Sequence, residues 1–263
     1  MRSWGMSMDE TLYCPAAPRW LPWAALLLAA AVVALVWWQL GTGWGLAALL
    51  LVPGLFVLPV FLPNSGFYAP VLSRWAGAGQ RIWLTIDDGP SADTPALLAL
   101  LGRHQARATF FLVGERAAAR PELVRAIVAA GHSIGNHSHS HPQAWWWALG
   151  PAALSSQIGQ CQQQLAAITG SAPRWYRSVV GHTNPFVAAV LRRHGLRRVG
   201  WSARGYDGVA AEVPTVLARI TPQLAPGAIV LLHEGGRPGQ AEAVLDGVLQ
   251  AAAQRGLRAD IPG

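Results

Sequence analysis

Two short stretches concentrate side chains able to bind a metal or move a proton. "TIDDGP" (85–90) carries the adjacent carboxylates Asp87 and Asp88, and "GNHSHSHP" (135–142) carries His137, His139 and His141. On a helix His137 and His141, at i and i+4, share a face and can hold one ion. On a strand all three histidines share a face, although Pro142 and the serines disfavour a regular strand there. Taken singly, the histidines also read as a surface loop. Asp-Gly-Pro likewise reads as a capped turn before a helix. Alternatively, a turn at Gly89-Pro90 brings both acids to one strand end, one for a metal and one for a proton. Two imidazoles and one carboxylate match the three-ligand, open-position sites of catalytic divalent metals.

Groups 50 residues apart need a scaffold that returns the chain to one place. "RIWLTI" (81–86), "ATFFLVG" (108–114) and "HSIGNH" (132–137) read as strands. "GLRRVGW", "GAIVLLH" and "LRADI" supply later strands, and helices are expected over 94–104, through "PELVRAIVAAG", and within 151–169. Strand–helix alternation over about 180 residues predicts an α/β fold of parallel strands, barrel or doubly wound. In such folds chemistry gathers at the strand ends. "DDGP", "NHSHSHP", "YR" (176–177) and "HEGG" (233–236) all fall there.

Ahead of this region the character changes. Of 263 residues 52% are hydrophobic and only 13% charged, against about 25% charged in soluble domains. Leu21–Leu40 and Trp44–Leu62 are uncharged apolar runs separated by "GTG", each near the length that crosses a bilayer. Trp20, Trp23, Trp37 and Trp38 sit at the ends of the first run as an aromatic belt. The expected organisation is a tail (1–20), a transmembrane hairpin (21–62), a linker (63–80) and a catalytic domain (81–263). Arg2 and Arg19 precede the hairpin and Arg74 and Arg81 follow it, so the positive-inside rule predicts a cytoplasmic domain at the inner membrane. If the Pro-containing second run does not span, the domain faces the periplasm. The net charge is +7 and every basic side chain is Arg. These arginines are scattered rather than gathered with aromatics on one face, so no nucleic-acid partner is expected. Cys14 and Cys161 form no zinc-finger or disulfide framework.

"TIDDGP", then "GNHSHSHP", "WYRSVVG", "WSARGYD" and "IVLLHEG" together, in this order over about Arg81–Asp260, resemble the polysaccharide deacetylase family, the nodulation-deacetylase-like carbohydrate esterases. The resemblance implies a distorted (β/α) barrel and a metal-dependent hydrolase that removes N-acetyl groups from amino sugars. It makes Asp87 the general base and Asp88, His137 and His141 the ligands of a divalent metal, Zn²⁺ first, with Co²⁺, Ni²⁺ or Mn²⁺ as alternatives. His139 becomes a spare. Arg177 is implied to orient the base, His233 to be the general acid and Asp207 its partner. A backbone N–H near Val180 is implied to meet the oxyanion, and Trp201 to wall the site. A metal-activated water would lose its proton to Asp87, and His233 would protonate the leaving amine.

The third motif reads "RSVVG" where the family carries prolines and an aromatic, which opens the question of substrate. The last motif has Glu234 where Asp is usual, a small change expected to leave His233 untouched. His132 and His182 read as polar loop residues, and His104 and His194 as helix-end residues. The run Trp145-Trp146-Trp147 reads first as core, with a sugar-stacking wall and a membrane-surface anchor as alternatives. The expected substrate is an amino-sugar glycan, a lipid-linked saccharide or an envelope polysaccharide, with membrane lipid as a further partner. A deformylase or other C–N hydrolase on this scaffold, and a non-catalytic glycan-binding protein, are the alternatives.

Overall fold

The computed structural model describes residues 21–209 and 212–263. Two apolar helices, α1 (Leu21–Leu40) and α2 (Thr42–Val57), meet at Gly41 and pack as a hairpin. The continuous helical segment Thr42–Val60 has 19 residues of mean hydropathy 2.0 and leaves most of its surface exposed. Arg2, Arg19, Trp20 and Cys14 lie outside the described residues, as does the side chain of Trp23.

Among the described residues eight parallel strands follow: β1 (Arg81–Gly89), β2 (Ala108–Leu112), β3 (Ser133–Asn136), β4 (Trp175–Tyr176), β5 (Arg197–Arg198), β6 (Ala203–Arg204), β7 (Ile229–His233) and β8 (Arg258–Ala259). Their order is β5-β4-β3-β2-β1-β7-β6, with β8 pairing the start of β1. The helices between them are α3 (Thr94–Arg103), α4 (Gly114–Ala119), α5 (Pro121–Ala129), α6 (Pro151–Thr169), α7 (Val187–Arg193), α8 (Val213–Ile220) and α9 (Gln240–Gln254). The sheet is curled and open between β5 and β6, the distorted form of barrel expected. Strand β6, only two residues long, carries too few side chains to show a period.

Alternation along the strands separates two cores. Ile82, Leu84, Ile86, Phe110, Val230 and Leu232 face out against the helices. Trp83, Phe111, Trp175, Ile229 and Leu231 face in. Gly135 is required on the inner face, because a Cβ there would stand 2.5 Å from the Phe111 ring.

Residues 63–80, expected as a linker, are built into the barrel. Leu72 bridges Val199 in parallel, and Arg74 bridges Ala228 in the antiparallel sense. The segment thereby runs from the free edge at β5 to the start of β7, and Leu72, Trp75 and Ala78 close the inner core. Asn64 donates to the Trp201 carbonyl at 2.7 Å, and Arg198 donates to the Pro63 carbonyl at 2.7 Å. Because an open sheet edge carries unpaired backbone groups, covering it is a physical need. Periodicity is blind to this role, since the segment forms only isolated bridges.

Candidate active site

On β1, β3, β4 and β7 the inward stripe leads to a polar residue at the C-terminal mouth of the sheet. Trp83, Thr85 and Asp87 alternate on β1, and Ile229, Leu231 and His233 on β7. Gly135 leads to His137 beyond β3, and Trp175 leads to Arg177 beyond β4. Asp87 and His233 are register partners on adjacent strands, so about 4.8 Å separates their backbones. One period of two therefore gathers four groups from 147 residues of chain.

Asp88 should point outward by that rule. Its φ of 71° and a register irregularity between Asp87 and Gly89 turn it inward. His141 has φ 54°, Val180 φ 48°, Ser138 φ 70° and Tyr206 φ 65°. A left-handed backbone costs a non-glycine residue about 1–2 kcal/mol, and these residues lie at the site or beside a site residue. Strain held there by surrounding structure marks a functional constraint. The loop is held from below. Asn136 Nδ2 donates to the Ile158 carbonyl at 2.9 Å, and Gln157 Oε1 accepts from the backbones of His139 and Ser140.

Asp88, His137 and His141 each offer a ligand atom, and the three atoms lie within 4.8 Å of one another. Asp88 Oδ1 is 3.1 Å from His141 Nε2 and 3.6 Å from His137 Nε2, close to the ligand spacing of about 3.3 Å around a tetrahedral Zn²⁺. Buried Asp88 Oδ1 has no hydrogen-bond partner. His137 Nδ1 donates to the Arg177 carbonyl at 2.9 Å, which leaves Nε2 lone-pair first toward the cluster. Burial, reinforced by neighbouring His137, pulls His141 down to about 4, so its imidazole is neutral, the form that ligates. Burial opposes ionisation of Asp88, yet the adjacent histidines and Arg116 hold its carboxyl below the usual range. The residues fit a divalent cation.

His139 lies outside this trio. Its ring turns to α4, with Nε2 4.0 Å from Glu115 and its Nδ1 against Gly114. A His139→Phe protein is expected to keep its metal content and activity within about twofold, as peripheral substitutions do; loss of metal would put His139 in the wrong place.

Arg177 is fully buried. Its guanidinium donates to Asp87 Oδ1 at 2.8 Å, Thr85 Oγ1 at 2.7 Å and the Gly200 carbonyl at 2.7 Å, and its Nε to Val199 at 3.3 Å. It also stacks 4.3 Å from the Phe111 ring. Across the mouth, His233 Nδ1 donates to Asp207 Oδ1 at 3.0 Å, while Asp207 Oδ2 accepts the His233 backbone N–H at 2.7 Å. Burial works against the imidazolium, but the Asp207 carboxylate overrides it and lifts His233 to about 9. A cleft of about 400 Å³ opens here, lined by Asp88, Arg116, Asp207, Gly208, His233 and Arg237. A groove of similar volume lies on the helical flank between Arg103 and Asp246, away from these groups.

The profile of the Polysaccharide deacetylase family matches residues 76–199. The chain is 33% identical over 185 residues to the chitooligosaccharide deacetylase of Bradyrhizobium sp. (strain ANU 289), covering 70% of this chain and 84% of that protein. It belongs to the polysaccharide deacetylase family. A Bacillus cereus (strain ATCC 14579) peptidoglycan-N-acetylglucosamine deacetylase is a further relative, 30% identical over 181 residues, 68% of this chain and 65% of that one. The family 4 carbohydrate esterase from Streptomyces lividans, solved in complex with acetate, superposes with a TM-score of 0.64 at 33% identity. That match covers 71% of this chain and 95% of the esterase.

Other expected residues fall differently. Trp201 is only 6% exposed. Its indole lies 5.8 Å from the Arg177 guanidinium and against Gly181. It backs the site rather than presenting a wall to substrate. Val180 is 43% exposed on the turn after Arg177. Glu234 does more than replace an aspartate. It is buried, accepts from Ser91 Oγ at 2.7 Å and Thr94 Oγ1 at 2.5 Å, and lies under Gly89. Burial pushes its carboxyl up. It ties the "DDGP" turn to the start of α3. His132 is a core histidine, accepting the Ala108 N–H on Nδ1 at 3.3 Å, and burial brings it down to about 4. Composition alone hides both burials. Thr85, which accepts from Arg177, carries a sequence signal in its place two residues before Asp87 on one stripe. Arg116, whose side chain donates to the Asp88 carbonyl, left no sequence signal.

Proposed function

We propose that this chain is a metal-dependent hydrolase that removes N-acetyl groups from an amino sugar. The observation that carries the reading is the Asp88–His137–His141 trio standing between a carboxylate, Asp87, and a histidine–aspartate pair, His233–Asp207. The names of relatives support it: one is a chitooligosaccharide deacetylase, another a peptidoglycan-N-acetylglucosamine deacetylase. A divalent ion in the trio, Zn²⁺ first, supplies a Lewis acid for the acetamide carbonyl and acidifies the attacking water. Arg177 fixes Oδ1 of Asp87 and leaves Oδ2, 3.7 Å from His137, to take the proton. His233, with Nδ1 engaged by Asp207, turns Nε2 to the leaving nitrogen and protonates it. An amine leaves an amide badly without that proton, so acid and base on neighbouring strands serve one bond. The exposed turn at Val180 offers a backbone N–H to the developing oxyanion. Acetate release from a chitooligosaccharide by the metal-loaded protein, and none by the chelated protein, is the direct test.

Activity should require His233 protonated, so turnover is expected to hold below pH about 9 and fall above it, the limb moving lower when a dication is nearby. Asp207→Asn removes the charge that raises His233, shifting this limb toward the ordinary histidine value of about 6.5 and lowering the plateau about 10²–10⁴-fold. A pH–rate profile with an unmoved basic limb would remove His233 from this role.

We further infer that α1 and α2 anchor the enzyme in the bacterial inner membrane. Support comes from their uncharged sequences and from Thr42–Val60, at about 1.5 Å per residue roughly 28 Å long, near the thickness of the hydrocarbon core. Arg74 and Arg81 after the hairpin favour a cytoplasmic domain. A reporter fused at Gly263 decides the side; an extracytoplasmic signal overturns it.

A further inference from the structure

The tryptophan run divides in the fold. Trp146 is fully buried, in a core with Leu154 and Tyr176, whereas Trp145 is 67% and Trp147 39% exposed. Core packing thus accounts for one of the three. The Trp147 ring lies 5.6 Å from Phe61, and Phe61 stands edge-on to His182 at 5.0 Å. Phe61 directly follows the apolar segment Thr42–Val60, and the Thr183 N–H donates to the Val60 carbonyl at 2.9 Å. Exposed Phe186 follows on the same loop, which Asn184 fastens to the Leu149 carbonyl at 3.3 Å. Exposed Trp145 and Phe186 thus lie two and three residues along the chain from Trp147 and Thr183, which contact the point where the hairpin joins the barrel.

A helix about 28 Å long that crosses the hydrocarbon core must deliver Val60 to its boundary. Groups bonded to Val60 or stacked on Phe61 then share that depth, where Trp and Phe rings are most favourable. Val180 is three residues from Thr183, within roughly 10 Å of chain, and belongs to the mouth of the sheet. We propose that Phe61, Trp145, Trp147 and Phe186 form a bilayer-interface seat that holds the Val180 lip of the active site at headgroup level, so that the substrate is an N-acetylated amino sugar carried on a membrane lipid. This rests on the deacetylase reading and narrows its substrate to one presented in the plane of the membrane. A free polymer strand would gain nothing from a lip pressed to lipid, whereas a lipid-borne sugar extends from the headgroups at that height.

The test uses the full chain in vesicles of phosphatidylethanolamine and phosphatidylglycerol. With Cys14→Ser, and Cys161 buried and unreactive, nitroxides are attached at Trp145→Cys, Phe186→Cys and, as reference, Gln254→Cys at the opposite ends of the strands. Labels at 145 and 186 are expected to collide preferentially with oxygen, and the reference label with a water-soluble nickel chelate. Equal nickel exposure at all three positions overturns the seat. The double variant Trp145→Ser/Phe186→Ser is then assayed on soluble chitooligosaccharide and on polyprenyl-diphosphate-linked N-acetylglucosamine. Unchanged turnover of the first with a loss of about tenfold or more on the second is expected, since co-confinement raises effective concentration. Equal rates on both, relative to wild type, overturn the lipid-borne substrate. If the wild type releases acetate from neither compound, the deacetylase reading fails, while the collision data still decide the seat.

Discussion

Asp88→Asn and His141→Ala are each expected to lose bound metal and acetate release together. Elemental analysis should fall from about one ion per chain to near zero. With a Lewis acid contributing several kcal/mol removed, turnover should drop about 10³-fold or more. Asn is the informative replacement at 88. The residue sits at φ 71°, a region Asn tolerates better than most residues, so the fold should survive while the charge does not. In the Asp88→Asn protein the two imidazoles are left near a neutral amide, and no carboxylate faces them from β1 except Asp87, which Arg177 already holds. Thermal unfolding separates the explanations, because a metal-free but cooperatively folded Asp88→Asn protein localises the defect to the trio. A variant without metal that kept wild-type turnover would sink the assignment of these ligands.

Arg177→Ala is expected to produce the largest loss of stability. The side chain is wholly enclosed and supplies hydrogen bonds to four acceptors, two of them backbone carbonyls beyond β5. Its removal leaves Asp87, only 3% exposed, without a counter-charge. Breaking a buried pair from one side costs about 3–5 kcal/mol, which for a chain of this size lowers Tm by roughly 10 °C. Activity should vanish as well, since Asp87 loses the contact that sets its rotamer. Arg177→Lys keeps the charge but cannot reproduce the planar fork, so part of the stability and little of the activity should return. A stability change under about 1 kcal/mol would mean that water or another group replaces the guanidinium, contrary to the burial of the site.

Much of the site was legible because it follows the period of a strand. Asp87, His137, Arg177 and His233 each continue an inward stripe, and each lies at the end of an apolar stretch of sequence. The helix over 151–169 was legible for a similar reason, with Pro151 at its first position and Gly170 in the left-handed region just past its end. Glu234 was read as a neutral exchange because its partners, Ser91 and Thr94, lie 140 residues and more away in the chain. Residues 63–80 were read as a linker because isolated bridges to distant residues leave no periodic mark. The resemblance makes Trp201 a wall of the site, but its indole packs against Gly181 and is only 6% exposed.

From its sequence alone this protein declares an apolar N-terminal pair of runs, a parallel α/β scaffold, and a motif set whose order marks the polysaccharide deacetylase family. Those features are local, carried by periodicity, composition and residue types a few positions apart. Only the tertiary structure turned the His139 ring toward α4, turned Asp88 inward against the alternation of its strand, and divided the three tryptophans between core and surface. Each of those outcomes depends on contacts between segments tens of residues apart, where packing, left-handed turns and hydrogen bonds to distant backbone override the local pattern.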